Sequence, residues 1–152
     1  MSVPKITIYT DGASSGNPGP GGYGIVMLSE QHRKEISAGY RLTTNNRMEL
    51  LAVIVALEAL KIQGSDVTVY TDSKYVVDAV EKGWVFQWVA KRFKDKKNPD
   101  LWLRFLEIYK KHTVKFVWVK GHANNSLNER CDRLAVEASK QPNLLEDTGY
   151  DI

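Results

Sequence analysis

The sequence contains little cysteine and no long apolar run, and both absences narrow what the protein can be. Cys131 is the only cysteine, which excludes an internal disulfide and is typical of a reducing compartment. No apolar run could cross a bilayer without a charged residue, and the N-terminal MSVPKITIY lacks the apolar stretch of a secretory signal. We therefore expect a cytoplasmic protein that does not bind membranes, in which the Asn124-Asn125-Ser126 sequon stays unmodified.

The chain also lacks internal repeats, low-complexity tracts and linkers. Its 152 residues are 43% hydrophobic and 26% charged, which is ordinary for a globular protein. We expect one domain over residues 1–152, and nothing in the sequence demands more than a monomer.

Positive charge is concentrated between residues 82 and 97, although the net charge of the chain is only +3. This basic segment holds six lysine or arginine residues and a single acid, Asp95, with Trp84, Trp88 and Phe93 among them. A solvent-exposed helix face is one interpretation. Aromatic residues interleaved with cations favour a nucleic-acid surface, because such a ligand needs both phosphate neutralisation and stacking.

Hydrophobic periodicity predicts the element order β-β-β-α-β-α-α-α-β-α, an α/β protein in which helices pack on a mixed, five-stranded sheet. The residues from Asn45 onward are apolar almost all round, which indicates a buried helix. Strands are expected over residues 5–11, 23–29, 35–42, 67–71 and 114–120. Helices are expected from Thr44 or Asn45 to Gly64, from about Lys74, over residues 84–93, from Pro99 to residue 111, and from Ser126.

The phrase Tyr-Thr-Asp occurs twice, and each copy ends an alternating run. Strand periodicity puts Asp11 on the same face as Thr7 and Tyr9, and the second copy repeats this pattern up to Asp72. A helix-linked return after the third strand would bring the fourth strand beside the first, with both carboxylates at one edge. Aspartate before Gly or Ser is also common in turns, but the repeated flanking residues favour a joint site.

Two further acids are candidates for the same edge. Glu49 is the only acid between Glu35 and Glu58 and lies early in the buried helix, where the helix dipole offers an alternative explanation. Asp132 lies in the second turn of the last helix. A surface ion pair with Arg130 or Arg133 is the alternative for Asp132.

Carboxylates gathered without a cation repel each other, because a charged pair at 4 Å costs about 4 kcal/mol at an effective dielectric constant of 20. Oxygen ligands without a Cys or His cluster favour Mg²⁺ or Mn²⁺ over zinc. Four carboxylates can hold two such ions, which together suit in-line phosphodiester hydrolysis.

The glycines of residues 19–24 match Gly-x-Gly-x-x-Gly, the dinucleotide-binding pattern, but they do not open a helix. They lead into YGIVML, which is a predicted strand. We interpret this stretch as a wide hairpin.

Five segments follow one another along almost the whole chain, from about Lys5 to Tyr150: YTDGASSGNPGPGGYG, TTNNRMELLAVIVALEAL, YTDSKYV, WVKGHANNSLNERCDRLA and LLEDTGYDI. Together they resemble bacterial type I ribonuclease H. The resemblance implies a ribonuclease H-like fold with a basic handle, formed here by the basic segment. It also implies a Mg²⁺- or Mn²⁺-dependent endonuclease that cuts the RNA strand of RNA–DNA hybrids and leaves 5′-phosphate and 3′-hydroxyl ends.

The resemblance also assigns site residues. Asp11 would bridge two metal ions. Glu49 and Asp72 would hold one of these ions, and Asp132 would hold the other. His122 would assist proton transfer or product release. Contacts to the hybrid are implied for two groups. The first, around the RNA strand and minor groove, comprises Gly12, Ala13, Asn17 and Asn46; the second, on the DNA strand, comprises Thr44, Asn45 and Trp84. Lys74 and Asn128 complete the implied substrate contacts.

The sequence departs from the family pattern in three places. The basic handle is shorter than in enterobacterial members, Lys74 replaces a common glutamine, and the loop after His122 lacks a second histidine and a proline. Two alternatives stay open: a related nuclease acting on a DNA junction or strand end, and a catalytically silent hybrid-binding module. The presence of all four carboxylates argues against the silent module. Recruitment by a single-strand-binding protein is not decidable from the sequence.

Overall fold

The computed structural model describes residues 3–120 and 126–150, which form five strands and five helices. The strands are β1 (Lys5–Ser14), β2 (Gly19–Ser29), β3 (His32–Thr43), β4 (Asp66–Thr71) and β5 (Thr113–Trp118). The helices are α1 (Asn45–Glu58), α2 (Lys74–Glu81), α3 (Trp84–Ala90), α4 (Pro99–Tyr109) and α5 (Ser126–Ser139). The predicted element order is confirmed.

The strands form one mixed sheet in the order β3-β2-β1-β4-β5. The first three strands make an antiparallel meander, whereas β4 pairs in parallel with β1 and with β5. The chain returns from β3 to β4 through α1, so the crossover predicted from the sequence places β4 beside β1.

Helices cover both faces of the sheet. The main core lies under α1, where Ile8 and Ile25 pack with helix residues such as Leu50 and Val53. Alternation along β2 turns Val26 to the opposite face, which α5 covers. Ten of the fourteen residues of α1 are buried, as its apolar sequence predicts.

The observed α1 is shorter than predicted, because it ends at Glu58 rather than at Gly64. The N–H of Leu60 donates to the Leu57 carbonyl at 3.2 Å, a tighter turn than the helical pattern allows. Gly64 then turns the chain toward β4 with a φ of 82°. No helix in the described residues is long and apolar enough to span a membrane.

Candidate active site

The repeated Tyr-Thr-Asp phrases lie side by side. In the parallel pair of β1 and β4, Thr7 is opposite Thr68 and Tyr9 is opposite Tyr70. The two tyrosine rings stack with centroids 4.8 Å apart. Because the register is in phase, the aspartate that follows each phrase emerges at the same edge of the sheet. The predicted proximity of Asp11 and Asp72 is therefore observed.

Helix α1 supplies the third carboxylate by packing directly on Gly12. A Cβ at this position would overlap the backbone of Met48 and Glu49, so only glycine allows this approach. The N–H of Gly12 donates to Asp11 Oδ1 at 2.9 Å and to Glu49 Oε1 at 2.5 Å. Glu49 is thus turned toward the end of β1, and no acid occupies the first turn of α1. The alternative explanation from the helix dipole does not account for this placement.

Helix α5 approaches the other face of the sheet over three glycines. Side chains at Gly22, Gly24 and Gly39 would overlap backbone carbonyls of α5, including that of Cys131 over Gly24. Gly24 is the cross-strand partner of Asp11. The close approach therefore brings the turn of α5 that carries Asp132 to Asp11.

Arg130, one of the two arginines considered as partners of Asp132, pairs with another acid instead. The Nε and Nη2 groups of Arg130 donate to the two carboxylate oxygens of Glu35 on β3, at 3.0 and 2.9 Å. Among the described residues, neither Arg130 nor Arg133 forms an ion pair with Asp132, so the alternative explanation for Asp132 is not observed. Asp132 instead acts on Asp11, whose pKa it helps to raise.

Asp11 and Glu49 disfavour their charged forms at this edge. Burial, followed by repulsion from Asp72, raises the pKa of Asp11 to about 8, and Asp132 adds to the rise. Burial also raises the pKa of Glu49, with further contributions from Asp11 and Asp72. Such a cluster is stabilised by a bound cation.

The donor set fits a hard divalent cation. Oxygen atoms of Asp11, Glu49 and Asp72 lie within 4.8 Å of one another. All three donors are carboxylates, which suit Mg²⁺ or Mn²⁺ and not a thiolate- or imidazole-rich zinc site. The buried guanidinium of Arg47 is committed to Asp100 and Asp147, so it does not neutralise the cluster.

Residues expected to contact the two strands of the hybrid gather at the start of α1. Asn17 lies in the β1–β2 turn, where its Oδ1 accepts from the backbone N–H of Asn45 at 3.1 Å. Thr44 caps α1, accepting from the N–H of Arg47 at 3.2 Å. Asn45 and Asn46 are exposed, and Gly12 and Ala13 lie at the end of β1. Asn17, Thr44 and Asn46 line one groove, and Gly12 bonds the carboxylates of Asp11 and Glu49.

The remaining predicted residues differ in exposure. Lys74 is an exposed first residue of α2, and Trp84 is 41% exposed at the start of α3. Asn128 is only 1% exposed on α5, so its amide does not face the open surface. Its role as a substrate contact stays a prediction. His122 lies outside the described residues.

A groove of about 980 Å³ runs between the start of α1 and the basic segment. Its walls include Asn46, Trp84, Trp88, Lys96 and Lys97. The groove thus joins an amide surface to cations and aromatic rings, the combination expected for nucleic acid.

An ion-pair network that was not predicted from the sequence supports this groove. Arg47, only 2% exposed, donates to both oxygens of Asp100 and both oxygens of Asp147, over 2.6–2.9 Å. It thereby ties α1 to the start of α4 and to the C-terminal segment. An arginine inside an otherwise buried helix is the signal that could have indicated a bidentate partner.

Comparisons with known proteins identify the family to which the chain belongs. The family model described as RNase H matches residues 4–140. The ribonuclease H of Trichodesmium erythraeum is 61% identical over 151 residues, covering 96% of each chain. That of Desulforamulus reducens is 62% identical over 148 residues, covering 94% of this chain and 92% of its own.

Solved structures give the same result. LC9-RNase H1, a type 1 RNase H with the type 2 active-site motif, superimposes with a TM-score of 0.82 and 33% identity, covering 91% of this chain and 74% of its own. LC11-RNase H1, solved in complex with an RNA/DNA hybrid, has a TM-score of 0.65 and 32% identity, covering 88% and 95%. The fold and the acidic site are those of a metal-dependent nuclease. The chain belongs to the ribonuclease H family.

Proposed function

We propose that the chain hydrolyses the RNA strand of RNA–DNA hybrids, leaving 5′-phosphate and 3′-hydroxyl ends, with Asp11, Glu49, Asp72 and Asp132 as its catalytic carboxylates. The observation that carries the proposal is the buried carboxylate cluster at the sheet edge, beside a groove lined by amides, cations and aromatic rings. The membership of the ribonuclease H family supplies the reaction class.

The same carboxylates would hold Mg²⁺, with Mn²⁺ as a substitute, and two ions when substrate is bound. When bound, the ions supply an activated water and stabilise the charge on the leaving oxygen. Asp11 is central because its carboxylate lies near those of Glu49 and Asp72 and also interacts with that of Asp132. Gly12 holds Asp11 and Glu49 in place by donating to both.

One set of substrate-facing groups recognises the RNA strand, and a second set binds the DNA strand. The exposed amide of Asn46, expected beside the RNA strand, can bond base edges and 2′-hydroxyls, which distinguish RNA from DNA, whereas Asn45 is expected to meet the DNA strand. The rings of Trp84 and Trp88 and the ammonium groups of the basic segment suit the DNA strand. The complex of LC11-RNase H1 with an RNA/DNA hybrid supports a hybrid as the ligand.

Several finer features remain predictions from the sequence. His122 is expected to assist proton transfer or product release. A monomer in the cytoplasm and a single domain over residues 1–152 are the other expectations.

Kinetics of single carboxylate variants on a labelled hybrid test the proposed roles. We expect Asp11→Asn, Glu49→Gln, Asp72→Asn and Asp132→Asn each to lower kcat at least about a hundredfold, equivalent to about 2.7 kcal/mol of transition-state stabilisation. Asp66→Asn is the matched control, because Asp66 begins β4 while Asp72 follows its other end, about 20 Å away.

The outcomes distinguish the alternatives. Wild-type activity in the Asp11 or Asp72 variant would refute the proposed site. Binding of the hybrid by a wild-type protein that cleaves nothing in Mg²⁺ or Mn²⁺ would identify a silent binding module. Faster cleavage of a DNA junction than of the hybrid would identify a nuclease with a different substrate.

A further inference from the structure

Lys74 and Trp118 form a pair beside the catalytic carboxylates. The ammonium nitrogen of Lys74 lies over the indole ring of Trp118, 4.8 Å from the ring centroid. Both side chains are exposed, and Trp118 keeps 41% of its surface open. The indole ring of Trp118 contacts one side of the Lys74 ammonium group, and the other side faces solvent.

The pair is attached to Asp72 through the backbone. The indole N–H of Trp118 donates to the carbonyl of Asp72 at 3.2 Å. Trp118 is also the last residue of β5, in register with Thr71, the last residue of β4. Lys74 follows Asp72 by two residues and opens α2. The cation is therefore fixed at the edge of the sheet from which Asp72 emerges.

A lysine at the start of a helix is electrostatically unfavourable, because the N-terminal end of a helix carries partial positive charge. The first turn of α2 contains no acid that would compensate. Within residues 3–120 and 126–150, Lys74 forms no ion pair with a carboxylate. A charge that weakens the local structure and lacks a counter-ion is expected at a functional position.

We infer that Lys74, oriented by Trp118, binds a backbone phosphate of the RNA strand next to the phosphate that is cut. This inference rests on the proposed function and adds a subsite chemistry to it. The glutamine common at this position in the family can bond base edges or hydroxyls, but it carries no charge. An ammonium has three donors and no acceptor, so it suits a phosphate oxygen and adds a salt-dependent contact. The Lys74–Trp118 pair is the phosphate subsite.

The salt dependence of hybrid binding tests the subsite. Wild type, Lys74→Gln, Lys74→Arg and Trp118→Leu are compared by fluorescence anisotropy with a short labelled hybrid in EDTA, over a range of KCl concentrations. Steady-state kinetics in Mg²⁺ run in parallel. Lys115→Gln is the matched control, because it removes an exposed positive charge from β5 about 10 Å before Trp118, on the other face of the sheet.

We expect Lys74→Gln to weaken binding about three- to tenfold at low salt and to reduce the slope of log Kd against log salt by about 0.7–0.9, the value for one phosphate contact. KM should rise more than kcat falls. Lys74→Arg should retain the wild-type slope. Trp118→Leu should weaken binding with a smaller change in slope, because the charge remains but loses its orientation. Lys115→Gln should match wild type.

Three results would overturn the inference. An unchanged salt slope in Lys74→Gln would show that Lys74 contacts no phosphate. Tighter binding by Lys74→Gln would show that the position takes a neutral hydrogen-bonding group. An equal loss in Lys115→Gln would show a general effect of net charge. Failure of the wild type to cleave a hybrid at all would instead contradict the proposed function, so the two failures are distinguishable.

Discussion

Replacing Asp11 by Asn should make the metal-free protein more stable while it abolishes cleavage. Oxygen atoms of Asp11, Glu49 and Asp72 lie within 4.8 Å of one another. Two full charges at that separation repel by about 3.5 kcal/mol at an effective dielectric constant of 20. Asparagine removes one charge and can still accept the hydrogen bond that the N–H of Gly12 donates to Asp11.

The expected gain depends on pH with a definite sign. The pKa of Asp11 is raised to about 8 in the fold from an ordinary value of 3.8, first by burial and then by Asp72. Below pH 4 the acid is protonated in both folded and unfolded chains, so folding does not require the burial of a charged carboxylate. Between about pH 4 and 8 the unfolded chain releases the proton and the fold keeps it, so wild type loses stability as the pH rises. Proton linkage sets a ceiling of about 4 kcal/mol at pH 7.

Relaxation of the side chains lowers this ceiling, so we expect a gain of about 1–3 kcal/mol, or roughly 3–10 °C in Tm. Thermal unfolding in EDTA at pH 4.5, 6 and 8 measures it, with Asp66→Asn as the control expected to change little. The difference between Asp11→Asn and wild type should grow with pH, and Mg²⁺ should raise the Tm of wild type more than that of the variant. A variant less stable than wild type at pH 8 in EDTA would refute the reasoning.

Three further predictions concern buried groups outside the carboxylate cluster. Burial raises the pKa of the Cys131 thiol to about 12, so a disulfide reagent at pH 8 should label the native protein slowly and the denatured protein fully; rapid native labelling would contradict this burial. Gly24→Ala should lower activity and destabilise the protein by about 1–3 kcal/mol in urea unfolding, because the added Cβ overlaps the Cys131 carbonyl. An unchanged unfolding midpoint would show that α5 can move away from β2. Arg47→Met should lower the free energy of unfolding by about 3–5 kcal/mol in the same assay, because the Asp147 carboxylate would stay buried without its partner. A loss below 1 kcal/mol would show that the ion pairs with Asp100 and Asp147 contribute little.

The repeated phrase explains why much of the site could be predicted from the sequence. Asp11 and Asp72 end two strands with nearly identical patterns, and a parallel pair in register must bring them together. Glu49 was recognisable as an acid in an otherwise apolar stretch. These inferences needed only strand periodicity and one crossover.

Other features depend on contacts between distant segments, which a local pattern does not carry. The placement of Asp132 follows from the close approach of α5 to glycines on β2 and β3, and a glycine in a strand does not reveal which helix will cover it. The partners of Arg47 lie 53 and 100 residues away along the chain. The role of Trp118 likewise depends on the contact of its ring with Lys74, 44 residues earlier in the chain.

The early end of α1 is a smaller example of the same limit. Residues after Glu58 continue the apolar pattern, and Gly64 offers a clear stop signal. The chain nevertheless tightens at Leu60, where the N–H bonds the Leu57 carbonyl. The competition between a helical and a tighter hydrogen bond is decided by the packing of the following turn, which periodicity does not describe.

Cleavage of one RNA–DNA hybrid, with the two strands labelled separately, tests the central claim most directly. Wild type is incubated with the hybrid in Mg²⁺ and in EDTA, beside duplex DNA and duplex RNA of the same sequence. We expect that only the RNA strand of the hybrid is cleaved, and only in the presence of Mg²⁺. Cleavage of the DNA strand at a similar rate, or cleavage of the RNA strand that persists in EDTA, would contradict it.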